Sequence, residues 1–269
     1  NDGTVDDHIA TGVGSDAIEV DNSLFTEHLV VDGGSGVDTL RVNGDVSVVD
    51  ADFTQLSSVE ALTLIADAAG NLNQLTLGSA AAASGLQSFD SSSSGNNDVL
   101  QLDARNFANA LSITSGAAGD IIQLGSGGSV VDAGNGDNSV TVGAVNDGVH
   151  DDNITTGAGD DVIHSTDAQF TSHLTVSAGA GLDTLEVSTD ASVIDADFSG
   201  LTSVESLKLA ADAADNAQSV VLAAQAATAG LLAVDATGVG ASDAVSIDVS
   251  AFANALTVDT ADGNDVITL

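Results

Sequence analysis

The chain repeats one short glycine-rich turn eight times, and this repetition restricts the folds open to it. The clearest copy is Gly33-Gly34-Ser35-Gly36-Val37-Asp38, followed by the short strand-like stretch Thr39-Leu40-Arg41. Glycine permits tight turns with positive φ, and the aspartate places a carboxylate at the lip of the turn. Degenerate copies begin at Thr11, Ser93, Ser115, Ala133, Thr156, Ala178 and Thr260. Recurring turns and short strands predict a stack of coils.

A longer repetition runs through the whole chain. Residues 1–124 align with residues 146–269 at a constant offset of 145 without a gap, and nearly half of the aligned pairs are identical. We therefore expect a first solenoid repeat over residues 1–145 and a second, incomplete one over residues 146–269, in one continuous rod. Residues 125–145 have no counterpart within the chain. Because the pattern is cut at both ends, we expect the chain to be a piece of something longer.

Short apolar strands recur along the chain at a nearly regular interval, with alternation as in Leu62-Thr63-Leu64. This period predicts an all-β fold, a right-handed parallel β-solenoid (β-roll or β-helix) with roughly 20–24 residues per coil and the shape of an elongated rod. The first repeat contains thirteen such strands, so either the segment around Phe53–Leu56 supplies a fourteenth or some coils have three sides. The Ala-rich stretches Ala80–Ser84 and Ala223–Ala229 are predicted to form single helical turns.

The charge balance restricts the partners of the chain. Forty acidic residues stand against three basic ones, Arg41, Arg105 and Lys208, and the net charge is −37, yet 43% of the residues are hydrophobic. Such a chain buries a core if divalent cations neutralise its carboxylates, and Ca²⁺ binds carboxylate and carbonyl oxygens together. A polyanion is repelled by nucleic acid and by anionic membranes. The sequence has no cysteine and no apolar run long enough for membrane insertion.

The spacing of the aspartates predicts calcium sites. Asp16 and Asp38 are separated by the length of one predicted coil. The pairs Asp161/Asp183, Asp98/Asp120 and Asp243/Asp265 repeat this spacing, so each pair is predicted to stack. Stacked carboxylates about 5 Å apart repel each other unless a cation lies between them. The alternative is that Gly and Asp serve only the backbone of solvated turns. The predicted ligands of several Ca²⁺ ions are Asp16, Asp38, Asp98, Asp120, Asp137, Asn138, Asp161, Asp183, Asp243, Asp265, Gly12, Gly14, Gly34, Gly36, Gly157, Gly159, Gly179 and Gly181.

Other acidic groups have two interpretations each. Asp6, Asp7, Asp151 and Asp152 either add ligands or form solvated surface. The pairs Asp50/Asp52 and Asp195/Asp197 either cap a short turn or line the opposite edge, and we favour the structural role. The five histidines do not show a zinc-binding spacing. Because no phosphate loop, nucleophile motif or singled-out acid is present, we predict that the protein is not an enzyme.

The turns resemble the RTX, or haemolysin-type calcium-binding, repeats of Gram-negative secreted proteins, most closely at Gly33–Arg41 and Ala178–Glu186. The intervening segments, such as Ser57–Asp90, look like the diverged solenoid of RTX-type S-layer proteins and large surface adhesins. The resemblance implies type I secretion, an extracellular or cell-surface location, and folding on calcium. It also implies a structural role in an S-layer, filament or adhesin stalk. Expected partners are further copies of the chain, head-to-tail or lateral, and cell-surface polysaccharide.

Two other functions stay open. The chain fits a calcium-binding or secretion module of a larger adhesin or hydrolase. It also fits a glycan- or ice-binding solenoid, although ice binding needs a flat, regular threonine ladder and the threonines here are irregular.

Overall fold

The protein is a parallel β-solenoid. The computed structural model describes residues 7–44, 46–65, 72–93, 97–188, 191–210, 217–240 and 243–269. Every strand pairing in these ranges is parallel, which confirms the predicted all-β stack of coils.

The first repeat forms fourteen strands in the described ranges. The sequence predicts thirteen of them, and Leu56–Ser57 is the additional one. The strands are β1 (His8–Ala10), β2 (Ala17–Asp21), β3 (Val30–Asp32), β4 (Thr39–Asn43), β5 (Ser47–Val48), β6 (Leu56–Ser57), β7 (Ala61–Ile65), β8 (Leu72–Thr76), β9 (Ser88–Asp90), β10 (Val99–Asp103), β11 (Leu111–Thr114), β12 (Ile121–Gln123), β13 (Ser129–Asp132) and β14 (Ser139–Thr141).

The second repeat forms equivalent strands at the offset of the duplication. They are β15 (Asn153–Thr155), β16 (Val162–Thr166), β17 (Thr175–Ser177), β18 (Thr184–Ser188), β19 (Ser192–Val193), β20 (Leu201–Thr202), β21 (Ser206–Ala210), β22 (Gln218–Val221), β23 (Ala233–Gly238), β24 (Val245–Asp248), β25 (Thr257–Thr260) and β26 (Val266–Thr268).

Helices are short. The predicted Ala-rich turns are the α-helices α1 (Ser79–Ser84) and α2 (Ala224–Ala229). Turns of 3₁₀-helix cover Asn22–Leu24, Asp50–Phe53 and Asp195–Gly200. Within the described ranges, the chain lacks a helix of the length and apolar character that a membrane span requires.

The strands stack into four sheets. Sheet I contains β1, β3 and β6, and sheet IV contains β19, β22, β24 and β26. Sheet II runs β2-β4-β7-β9-β11-β13-β15-β17-β20, and sheet III runs β5-β8-β10-β12-β14-β16-β18-β21-β23-β25. At the usual spacing of about 4.8 Å, the ten strands of sheet III extend over roughly 45 Å.

Coil length varies more than the sequence period predicts. Leu111 pairs with Ser129, whereas Ala61 pairs with Ser88, which lies much further along the chain. Most coils contain two strands, but the coil between β4 and β7 passes through β5 in sheet III and β6 in sheet I. Both sequence-based explanations of the odd strand count are therefore correct: Leu56–Ser57 is a fourteenth strand, and that coil has three sides.

Each strand of the second repeat lies one sheet further on than the equivalent strand of the first repeat. β2 lies in sheet II, whereas its equivalent β16 lies in sheet III, and β5 and β19 likewise begin sheets III and IV. α1 contacts β6, where sheet I ends, and α2 contacts β20, where sheet II ends. Each repeat thus closes one sheet with a helix and begins another.

The interior is a narrow column of Val, Leu and Ile. Leu62 and Leu64 of β7 point inward and are buried, as the alternation predicts. The phenylalanines fill the wider coils: Phe25 meets Phe53 edge-to-face with ring centroids 5.2 Å apart, and Phe170 and Phe198 do the same.

A carboxylate from the preceding coil caps each α-helix. Asp50 Oδ1 accepts the N–H groups of Gly78 (2.8 Å) and Ala81 (2.9 Å), and its Oδ2 accepts that of Ala80 (3.1 Å). Asp195 caps α2 in the same way. A helix start leaves N–H groups without intrahelical acceptors, and these aspartates supply them. The predicted structural role of both residues is confirmed.

Replacing Asp50 by alanine should destabilise the folded chain by about 2–3 kcal/mol, because three N–H groups lose a charged acceptor. Urea unfolding followed by circular dichroism measures this. Asp21→Ala removes the same charge from an exposed position at the end of β2 and is the control. Equal urea midpoints for the two variants would contradict the capping role.

Candidate metal centre

The glycine-rich turns lie directly on one another along the edges of the sheets. In the first two turns, Gly14 N–H donates to Ser35 O (2.9 Å) and Ser35 N–H donates to Gly12 O (2.8 Å). Gly159 N–H and Ala180 O (2.9 Å) form the equivalent bond in the second repeat. We number the six residues of each turn from one to six, so that Asp38 and Asp161 occupy position six.

The predicted glycine ligands occupy positions two and four and have positive φ. These residues are Gly12, Gly14, Gly34, Gly36, Gly157, Gly159, Gly179 and Gly181. Close approach of the coils adds a second requirement. A Cβ atom on Gly157 would lie 2.1 Å from Gly134 O of the neighbouring coil.

The aspartates at position six form columns. Asp38 Oδ1 accepts Asp16 N–H at 2.8 Å, and Asp183 Oδ1 accepts Asp161 N–H at 2.9 Å, so the predicted stacking of these two pairs is confirmed. Asn138 extends the second stack, because Asn138 Oδ1 accepts Asp120 N–H (2.9 Å) and Asn138 N–H donates to Asp161 Oδ1 (2.7 Å).

Glutamates end both columns, and the sequence analysis missed them. Glu60 Oε2 accepts Asp38 N–H, and Glu205 Oε2 accepts Asp183 N–H, both at 2.9 Å. Each glutamate follows its aspartate at the same sequence spacing that separates Asp16 from Asp38, and this spacing could have revealed it. We call Asp16, Asp38 and Glu60 the first column, and Asp120, Asn138, Asp161, Asp183 and Glu205 the second column.

The other two predicted pairs, Asp98 with Asp120 and Asp243 with Asp265, do not stack, because the two aspartates of each pair are not opposite each other on neighbouring coils. Asp120 Oδ1 accepts Leu100 N–H (2.8 Å), and Asp98 lies two positions before Leu100. Asp265 Oδ1 likewise accepts Val245 N–H (3.0 Å), and Asp243 Oδ2 accepts Gly240 N–H (2.9 Å). The constant spacing of the aspartates is misleading here, because the coil is uneven: the step from Ser88 to Ser112 on sheet II is longer than the step from Gln101 to Ile121 on sheet III.

The columns leave five carboxylate oxygens without partners. The Oδ2 atoms of Asp16, Asp38, Asp120, Asp161 and Asp183 are buried and have no hydrogen-bond donor. Asp38 and Asp120 are 0% exposed, and Asp161 and Asp183 are 1% exposed. A buried charged oxygen without a partner is costly, so the columns need positive charge or a hydrogen-bond donor beside these oxygens.

The electrostatics support this requirement. Burial raises the pKa of Asp183 to about 6, and the charges of Asp161, Glu205 and Asp160 add to the rise. Burial also raises the pKa of Asp120 and of Asp161, although nearby N–H and hydroxyl groups oppose it. The site therefore favours positive charge or protonation.

The Nδ2 atom of Asn138 corresponds to the Oδ2 atom of the column aspartates, and its contacts show which groups lie near that position. Asn138 Nδ2 donates to Gly136 O (2.9 Å) and to Thr156 O (3.2 Å). Gly136 is at position four of the same turn, and Thr156 is at position one of the turn in the next coil. The corresponding carbonyls for Asp161 are those of Gly159 and of Ala178, which accepts the Thr156 hydroxyl at 2.8 Å. Carboxylate and carbonyl oxygens are the donors that Ca²⁺ prefers, so the residues fit a hard cation.

The acidic side chains are spread along the stack. Among the described residues, groups of three or more His, Asp or Glu side chains arranged to hold one metal ion are not found. A coil offers at most one column carboxylate, so a cation here would take most of its ligands from backbone carbonyls. A set of ligands that consists mostly of backbone carbonyls does not appear as a cluster of acidic side chains.

The remaining predicted acidic residues lie outside the columns. Asp137 is exposed, and its Oδ1 accepts Asp160 N–H (2.9 Å). Asp152 is fully buried but satisfied, because its oxygens accept the N–H groups of Ser129, Gly143 and Ala144. Asp7 is exposed, Asp151 is half-buried, and Asp6 lies outside the described residues.

Alanine at Gly157 should cost far more stability than alanine at Gly12. Both glycines have positive φ (+88° and +100°), which costs an alanine about 1 kcal/mol. A Cβ on Gly12 meets no atom within 4 Å, whereas one on Gly157 overlaps Gly134 O and forces the coils apart. We expect an extra loss of about 2 kcal/mol for Gly157→Ala in urea unfolding. Similar losses for both variants would contradict close stacking.

Without metal, the chain should become more stable as the pH falls from 7.5 to 5.5. A carboxyl with a higher pKa in the folded chain, such as Asp183 at about 6 against an ordinary 3.8, binds its proton more tightly when folded. Its stabilisation is complete below the unfolded pKa and is lost as the pH rises through 6. Urea midpoints in EDTA measure this, and a midpoint that falls on acidification would contradict it. Excess calcium should reverse the trend, because ionised carboxylates bind the ion.

Comparison with protein-family models, with curated proteins and with solved structures finds no match to this chain.

Proposed function

We propose that the protein is a calcium-dependent structural solenoid, a unit of an extracellular surface layer, filament or adhesin stalk. The observation that carries the proposal is the set of five buried, unpartnered carboxylate oxygens along the stacked turns. A cation bound at these oxygens stabilises the folded chain, because the unfolded chain does not hold the turns together.

Calcium fits this position better than magnesium does. Ca²⁺ takes six to eight oxygen ligands in flexible geometry, whereas Mg²⁺ demands a strict octahedron and keeps its waters. The columns offer backbone carbonyls and single carboxylates from two coils, which form an irregular set. With a net charge of −37, each bound Ca²⁺ also lowers the repulsion along the rod.

A structural role fits the rest of the surface. On the outer face of sheet II, one row runs through Glu19, Arg41, Thr63, Asp90 and Thr114, which pair in register. This mixed row lacks the regular threonine ladder of an ice-binding face. Self-association, head-to-tail or lateral, and binding of cell-surface polysaccharide belong to this proposal, as does secretion. A calcium-binding module of a larger adhesin or hydrolase is the alternative.

One row of side chains has the order of a hydrolase triad, and we propose that it is structural. Ser139 Oγ lies 3.2 Å from His164 Nε2, and His164 Nδ1 lies 3.4 Å from Glu186 Oε1. Glu186 also holds Lys208 Nζ at 2.7 Å, so its charge is already neutralised. The Ser139 N–H donates to Asp120 O and therefore does not serve an oxyanion. An ion-pair row on the face of the sheet explains these contacts.

Calcium titration of EDTA-treated protein, followed by circular dichroism and light scattering, tests the proposal. We expect β signal to rise with calcium and not with an equal concentration of magnesium. A rise in scattering at the same time supports assembly, and folding without assembly favours the alternative of a module in a larger protein. A fully β-structured chain in EDTA with no calcium response would overturn the proposal.

Matched variants in the same titration identify the ligand. Asp161→Asn should remove about one bound calcium, measured by calorimetry and by elemental analysis of dialysed protein. Asp160→Asn makes the same change of charge on the exposed neighbour, whose Oδ1 accepts Leu182 N–H, and should keep the full number. An equal loss in both variants would indicate a general effect of charge.

A further inference from the structure

One member of the second column is neutral. Asn138 stands between Asp120, near the end of the aligned part of the first repeat, and Asp161, near the start of the second. It lies in residues 125–145, which have no counterpart in the duplication. Asn138 therefore joins the acidic positions of one repeat to those of the next.

Every polar atom of the Asn138 side chain has a partner. The residue is 1% exposed. Its Oδ1 accepts Asp120 N–H, and its Nδ2 donates to Gly136 O and Thr156 O. These partners fix the orientation of the amide, because one side faces an N–H group and the other faces two carbonyls. The neighbouring Asp120 and Asp161 each keep an unpartnered Oδ2 atom.

Position one supplies a hydroxyl donor in three of the column turns. The hydroxyls of Thr11, Ser115 and Thr156 donate to the position-one carbonyl of the next coil at 2.7–2.8 Å. Position one has no hydroxyl in the turns of Asp38 (Gly33) and Asp183 (Ala178), nor in the turn of Asn138, where it is Ala133. The carbonyl that such a hydroxyl would reach, Thr156 O, accepts Asn138 Nδ2 instead. The amide thus supplies the donor that its own turn lacks.

We propose that Asn138 makes a cation-free junction in the column, with the amide nitrogen in the place that a cation takes at the aspartates. This inference rests on the proposed calcium sites. The junction divides the column into two acidic sets, Asp120 on one side and Asp161, Asp183 and Glu205 on the other. The carboxylates on either side of Asn138 are two coils apart instead of one, which halves their Coulomb repulsion. Hydrogen bonds therefore hold the repeats together there when calcium is withdrawn.

Asn138→Asp tests the inference in the full chain. It replaces the donor by a buried carboxylate, so in EDTA we expect the folding equilibrium constant to fall at least tenfold. With calcium we expect about one additional bound ion and recovery of the stability. Asn135→Asp adds the same charge at a nearby exposed position of the same turn and should do neither.

A second variant, which makes the opposite change, tests the inference even if Asn138→Asp does not fold. Asp161→Asn combined with Thr156→Ala copies the Ala133–Asn138 arrangement one coil further along. It should bind about one calcium fewer and be more stable than the parent chain in EDTA. The inference is overturned if Asn138→Asp matches Asn135→Asp in EDTA stability and in bound calcium, or if the double variant loses stability in EDTA. A parent chain that binds no calcium would overturn the proposed function itself.

Discussion

The structure depends on one repeated hydrogen bond, from the backbone N–H at position six of a turn to a side-chain oxygen of the next coil. It sets the level of neighbouring turns, as between Asp161 and Asp183. It also holds the second oxygen of the carboxylate inside, away from water. Glycines inside the stack, such as Gly34 and Gly157 at position two, follow from the same contact, because a Cβ atom there would overlap the neighbouring coil. The glycine-rich turns, the spacing of the coils and the buried carboxylate oxygens therefore all depend on this hydrogen bond.

Buried and half-buried aspartates in this chain differ by the hydrogen-bond donors around them. Asp50 and Asp152 each accept three backbone N–H groups, so their charge is satisfied within the protein. Asp38 and Asp183 each accept one, and their second oxygen is without a donor. The same residue type therefore caps a helix, anchors a loop or presents an open oxygen. Counting the available N–H groups separates a structural carboxylate from a candidate ligand.

The sequence predicted the solenoid, its strands and the level pairs of aspartates, because alternation and turn spacing are local properties. It could not predict the exchange of sheets, which depends on the very short strands Ser47–Val48 and Leu56–Ser57. Glu60 and Glu205 were missed because a search for aspartate at a turn overlooks a glutamate at the same spacing. Asp98 was misplaced because uneven coil lengths are invisible until the strands are paired. The role of Asn138 needed the directions of two carbonyls.

The shift by one sheet affects the mechanics of the rod. The turn of Asp38 precedes strand β4 of sheet II, whereas the turn of Asp120 follows strand β11 of the same parallel sheet. The two columns therefore lie on opposite margins of sheet II. Repulsion along one margin alone would lengthen that side and bow the rod away from it. Because the acidic margin moves from one repeat to the next, this repulsion does not accumulate along a single side of the stack.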